Sequence, residues 1–265
     1  MAIAGLLLAA TLFAADSPAS QATDDSAVPD DGNSGAGVAP VELIPRLELR
    51  QSFVQLHSGV SAHVTTAEVD ISYTNRLLLR YQGPLKVVSG PNGQTTGFGD
   101  AAIQAVVMFA SSPRFLAVAI AGAVLDTASQ PVLGDGKQQL VLGGAVAAKP
   151  VRWWLPYLVV QEQISVAGDA ARPDVNQLLA RVGNILFGKG FNWLKVDLDT
   201  VVDLSRDAGS LLGTLEVGSL LVGRTGMFMR SSTQLLGTRQ LDYTIEVGVR
   251  YLFRLTEAKK PAGTP

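Results

Sequence analysis

From Leu43 to Arg254 the chain alternates apolar residues with polar or small ones, and Gly, Pro, Asn and Ser interrupt the pattern at intervals. LDYTIEVGVRYLF (Leu241–Phe253) splits into two lists. Leu241, Tyr243, Ile245, Val247, Val249, Tyr251 and Phe253 carry no charge, whereas Asp242, Glu246 and Arg250 share the opposite face. FNWLKVDLDTVVDL (Phe191–Leu204) sets Leu194, Val196 and Leu198 against Lys195, Asp197 and Asp199 in the same way. A period of two is the signature of β-strands with unlike faces. Counting such segments predicts about twelve strands, near 43–56, 63–73, 76–88, 98–110, 114–126, 138–149, 152–166, 174–187, 191–203, 210–222, 226–237 and 241–254.

The links between these segments differ in kind. Tight turns, such as SSPR (Ser111–Arg114) and GKGF (Gly188–Phe191), alternate with longer stretches, such as SGPNGQTTG (Ser89–Gly97) and TASQPVLGDGK (Thr127–Lys137). Aromatic residues gather toward the tight-turn end, with Trp153, Trp154, Phe187, Trp193, Phe228, Tyr251 and Phe253 among them. Hairpins with short turns at one end and an aromatic girdle describe a transmembrane barrel. The segments run roughly 10–14 residues, longer than the usual soluble strand and long enough to cross a bilayer when tilted. The expected fold is therefore all-β: an antiparallel up-and-down barrel of about twelve strands, closed so that no edge meets lipid. A Lys or Arg facing lipid at mid-depth costs roughly 2–4 kcal/mol, so the charged faces should line the lumen.

The N-terminus supports export. Ala2–Ala15 is an unbroken apolar run, too short for a membrane helix and suited to a secretory signal, although no Lys or Arg precedes it. The expected organisation is a signal peptide over 1–22, a flexible acidic linker over 23–42, an outer-membrane barrel over 43–254 and a disordered tail over 255–265. A formal charge of −2 gives no reason to expect nucleic acid. With no cysteine there is neither a disulfide scaffold nor a thiolate metal site. DDGNSG (Asp30–Gly35) lacks the Glu that completes a calcium loop, and GDGK (Gly134–Lys137) is too short for a phosphate loop, so no metal or cofactor is expected.

The candidate lumen-lining residues are Glu48, Arg76, Arg80, Lys86, Asp100, Arg181, Lys195, Asp197, Asp199, Glu216, Asp242, Glu246 and Arg250. Glu68 and Asp70 share the inward frame. Separated charge could set the selectivity of a water-filled path, or these groups could pair and close it. Gly143, Ala145 and Ala147, on an inward frame, favour open volume. The expected function is a bacterial outer-membrane channel or transporter for small molecules, hydrophobic or aromatic ones included. Its partners would be membrane lipids, the solute and the barrel-assembly machinery; the oligomeric state stays open. No catalytic residue is assigned. The alternatives are a hydrolase at a rim formed by His57 and His63, and a structural barrel plugged by charge.

Three stretches carry a family resemblance. GFGDAAIQ (Gly97–Gln104), LDTASQPVLGDGKQQL (Leu125–Leu140) and VVQEQISVAGDAARPDVNQLL (Val159–Leu179) resemble outer-membrane transporters of the MetA-pathway phenol-degradation type. Asp126 stands where that group has Pro. The resemblance spans about Leu77 to Phe253 and implies an outer-membrane barrel with a transport role, without a catalytic residue or a substrate. Gly248-x-x-Tyr251-x-Phe253 resembles the closing-strand signal that assembly machinery reads, although RLTEAKKPAGTP (Arg254–Pro265) follows it.

Overall fold

The computed structural model describes residues 38–91, 93–188, 192–222, 224–238 and 240–253. The expected signal peptide, most of the expected linker and the expected tail lie outside the described residues. Thirteen strands follow one another: β1 (Arg46–Leu56), β2 (Ser61–Thr74), β3 (Leu77–Gly90), β4 (Gly93–Phe98), β5 (Ala101–Ser112), β6 (Phe115–Leu125), β7 (Lys137–Ala148), β8 (Trp154–Gly168), β9 (Asn176–Phe187), β10 (Asn192–Asp203), β11 (Ala208–Val222), β12 (Thr225–Gly237) and β13 (Leu241–Leu252).

Each strand pairs antiparallel with its sequence neighbour, except that β5 pairs with β3 rather than β4, and β1 pairs with both β2 and β13. The sheet therefore closes, and its backbone groups need no water from outside. The barrel has twelve staves, because β4 and β5 share one. β5 pairs with Leu77–Gln82 of β3, while β4 pairs with Leu85–Gly90. The expected strand at 98–110 is thus broken at Gly99-Asp100. The break has a local cause: opposite it lies Pro84, which has no N–H to give a ladder. Gly99 N–H still donates to the Pro84 carbonyl, at 2.9 Å. The expected loop Ser89–Gly97 is largely a hairpin, with β3 running to Gly90 and β4 starting at Gly93.

Outward positions form an apolar belt that the protein leaves uncovered. Leu49, Val107, Leu142, Val182, Leu198, Leu215, Met229 and Val247 are each exposed by more than two fifths. A water-soluble domain does not present such a continuous surface, but lipid covers it without cost. Tyr73, Phe109, Trp153, Tyr251 and Phe253 stand exposed at the tight-turn end, where Tyr251 and Phe253 meet edge to face at 5.2 Å. Trp193 and Phe228 depart from the expected girdle. Both share the strand frame of the inward charges, and both are buried in the lumen. The chain enters β1 and leaves β13 at this same end; Phe253 N–H donates to the Pro45 carbonyl at 2.8 Å.

Candidate functional site

The lumen has two unlike walls. The strands β1–β3 and β9–β13 carry most of the inward charges, and the register mostly sets opposite signs beside each other, Glu48 against Glu68 being the exception. Glu246, Arg230, Glu216 and Lys195 are successive cross-strand partners, as are Arg46, Asp70 and Arg80. Arg80 bonds Asp70 through two nitrogens, at 2.8 and 2.6 Å. Arg250 reaches Glu48 at 2.6 Å, Arg46 reaches Glu68 at 2.6 Å, and Arg230 bridges Glu216 at 2.7 Å and Glu246 at 3.0 Å. Arg181 pairs with Asp199, and the Lys195 ammonium lies 3.3 Å from Asp197. Tyr157 donates to Asp197 and the Trp193 indole to Glu216. Phe228 and Trp193 flank the Arg250 guanidinium at 5.1 and 5.7 Å, which keeps that charge beside polarizable faces. Signs interleave rather than separate along the wall, so the network nearly neutralises itself.

On β5–β8 the inward positions toward the tight-turn end are apolar or small, with Val106, Met108, Val118, Ile120, Ala145, Ala147, Leu155 and Val159 all buried, whereas Gln104, Gln139 and Gln163 follow toward the other end. The space before them is not open. Val38, Ala39 and Val41 are completely buried, Leu43 is nearly so, and all four belong to one cluster with this wall. The described part of the expected linker is therefore packed inside the barrel. It is a self-contained turn: the Glu42 carboxylate accepts the N–H groups of Val38 at 3.0 Å and Ala39 at 3.3 Å. Ser72 Oγ ties it to the wall by donating to the Leu43 carbonyl at 2.6 Å. The small side chains at Ala145 and Ala147 do leave room, and the chain's own N-terminal segment occupies it.

The opposite mouth is covered by the link 126–136, which folds inward. Asp100 anchors it. Its Oδ1 accepts the N–H groups of Thr127 and Ala128, and its Oδ2 that of Asp135 at 2.8 Å. Lys86 donates to the Leu133 carbonyl at 2.9 Å. Gly134 passes so close that a Cβ would stand 2.5 Å from the Asp100 carboxylate. The GFGD and LGDGK motifs are thus two halves of one latch.

Burial pushes the Asp135 carboxyl up to about 6, and the nearby Asp100 adds to this; Gln139, Lys86 and Arg172 act the other way. A raised value in the latched state means that the latch binds the proton. The latch is favoured fully at low pH, and this contribution fades as pH rises through about 6. In a barrel lacking residues 38–43, openings of the mouth in bilayer recordings should be rarer at pH 5 than at pH 7.5, and Asp135→Asn should remove that difference.

The other expected site residues fall as follows. Glu48, Arg80, Lys86, Asp100, Arg181, Lys195, Asp197, Asp199, Glu216, Glu246 and Arg250 are buried on inward positions. Arg76 does not line the lumen; it lies exposed in the turn between β2 and β3, because β3 starts one residue later than its alternation suggests. Asp242 stands half-buried at the rim, 3.1 Å from His57 Nδ1, where a bulge at Gln55/Leu56 turns Leu241 inward instead. His63 faces outward and packs on Phe53 at 5.0 Å, so the two histidines do not converge on one site. Arg46 and Arg230, both central to the ion network, were missed, although each shares a frame with a recognised inward charge.

No protein-family model and no curated protein matches the chain. Solved structures do. The COG4313 outer membrane channel from Pseudomonas putida F1 superposes with a TM-score of 0.64 at 13% identity, covering 86% of this chain and 100% of that one. The NanC porin gives 0.59 at 6% identity, over 77% of this chain and 98% of its own. The KdgM porin gives 0.58 at 9% identity, over 79% and 99%. The closed sheet, the lipid-ready belt and this likeness place the chain among bacterial outer-membrane β-barrels. Its fold is that of porin-like channels.

Proposed function

We propose that the protein is an outer-membrane channel for small solutes, closed by its own N-terminal segment, and that molecules with an apolar or aromatic body are its natural cargo. One observation carries this reading: residues 38–43 pack inside the lumen against the apolar part of its wall. A lumen that only stabilised the barrel would have no need of a separable stopper. The seat is apolar on the β5–β8 side, which favours solutes with apolar bodies. The resemblance to MetA-pathway phenol-degradation transporters points the same way. A second reading, a structural barrel with a plugged lumen, draws support from the paired charges. Ion current and solute-driven liposome swelling with residues 38–43 deleted separate the two; a deletion barrel that still passes neither ions nor small solutes refutes the channel. His57 and His63 stand apart, which speaks against a hydrolase.

Insertion is proposed to depend on Gly248, Tyr251 and Phe253. Gly248 leaves no space for a Cβ against the Phe228 ring, so its smallness serves packing as well as recognition. Phe253→Ala should lower the amount of folded, heat-modifiable barrel in the outer membrane several-fold, whereas removing residues 255–265 should not. The reverse result would mean that β13 is not the recognised strand.

A further inference from the structure

The inward faces of two adjacent strands change character near one height. On β1 they run Arg46, Glu48, Arg50, Ser52 and then Val54 and Leu56; on β2 they run Asp70, Glu68, Thr66 and then Val64 and Ala62. The register pairs Val54 with Ala62, and Ala62 with Val88 of β3. With Leu212 of β11, these residues form an apolar cup inside the long-link mouth, and the side chain of Leu133 sits in it, fully buried. Continuous water would be poorly served by such a ring, whereas an apolar body fills it at a gain.

We infer that this cup is a solute-binding site. It takes a small branched or cyclic molecule that bears one uncharged oxygen, and Leu133 holds the place of that molecule in the closed state. The inference rests on the channel reading above and names the solute class for it. The size follows from the occupant, a single leucine side chain. The oxygen follows from Lys86. Its ammonium donates to the Leu133 carbonyl at 2.9 Å, and lifting the link removes that acceptor. A hydroxyl or carbonyl oxygen on the solute replaces it. A carboxylate fits less well, because Asp100, which is not part of the link, already faces the same ammonium.

The chain has no cysteine, so a single one can report on the cup. Leu133→Cys, in the full-length protein reconstituted in liposomes, is treated with a membrane-impermeant thiol reagent. Labelling should be slow alone and rise about tenfold with millimolar cyclohexanol, the gain expected when about 1.4 kcal/mol of binding favours the lifted link. Inositol, the same ring covered in hydroxyls, should leave the rate unchanged. Equal rates with and without cyclohexanol, or an equal rise with inositol, would overturn the site. If Leu133→Cys labels at once without ligand, Val132→Cys, on the same link and packed against the cup, serves in its place with the same two outcomes. Failure of the channel reading looks different: no flux through the segment-deleted barrel, whatever the labelling shows.

Discussion

Removing residues 38–43 should turn a nearly silent barrel into one that conducts steadily. The magnitudes favour a poised segment rather than a fixed one. Burying Val38, Val41 and Leu43 contributes roughly 1.5–3 kcal/mol each. Ordering six residues of backbone costs roughly 1–2 kcal/mol per residue. The two totals are close. A modest loss of contact should therefore tip the balance. Leu43→Ala, which removes about 2–5 kcal/mol of packing, should raise the open probability by tenfold or more. Val41→Asp should do so more strongly, since it forces a carboxylate into the apolar side of the seat. Both variants leave all thirteen strands intact, so they test the segment even where the deletion assembles poorly. Planar-bilayer recordings read the result directly. Wild-type current in both variants would mean that the charge network, not the segment, closes the lumen.

The barrel itself was legible because its information is local. A period of two and a cost for charge in lipid are enough to assign strands and sides along most of the chain. The errors arose where position along the barrel axis competed with frame. Trp193 and Phe228 lie near the aromatic end, yet Trp193 has the parity of Lys195 and Phe228 that of Arg230, and parity decided. Arg76 has the right parity but sits one residue before its strand begins. The two closures were not legible, because each depends on contacts distant in sequence. Nothing in VAPVEL (Val38–Leu43) has a period, and its burial comes from strands more than thirty residues away. The GFGD and LGDGK motifs were visible as motifs. That Asp100 would receive the N–H of Asp135, thirty-five residues on, is a property of the folded mouth alone.

Glu48→Ala should cost the barrel about 3–5 kcal/mol, far more than any surface charge it carries. Glu48 accepts from Arg50 at 2.8 Å and Arg250 at 2.6 Å, with Arg46 at 3.9 Å, and none of these side chains touches water. Taking the carboxylate away leaves three guanidinium groups crowded in a space of low polarity. Glu68, Asp70 and Glu246 already serve Arg46, Arg50 and Arg80. Asp174→Ala provides the contrast. Its carboxylate is three-quarters exposed and pairs with Lys137 at 2.7 Å, so its loss should cost under about 1 kcal/mol. Urea unfolding from lipid vesicles measures both. A small, equal effect for the two variants would show that water reaches the ion network and screens it. The same substitution also bears on transport. In a barrel freed of residues 38–43, losing Glu48 takes one of the four buried carboxylates from the wall of β1, β2 and β13 and leaves its three guanidinium groups in place. The reversal potential in a salt gradient should then move toward that of the anion, and Arg250→Ala should move it the opposite way.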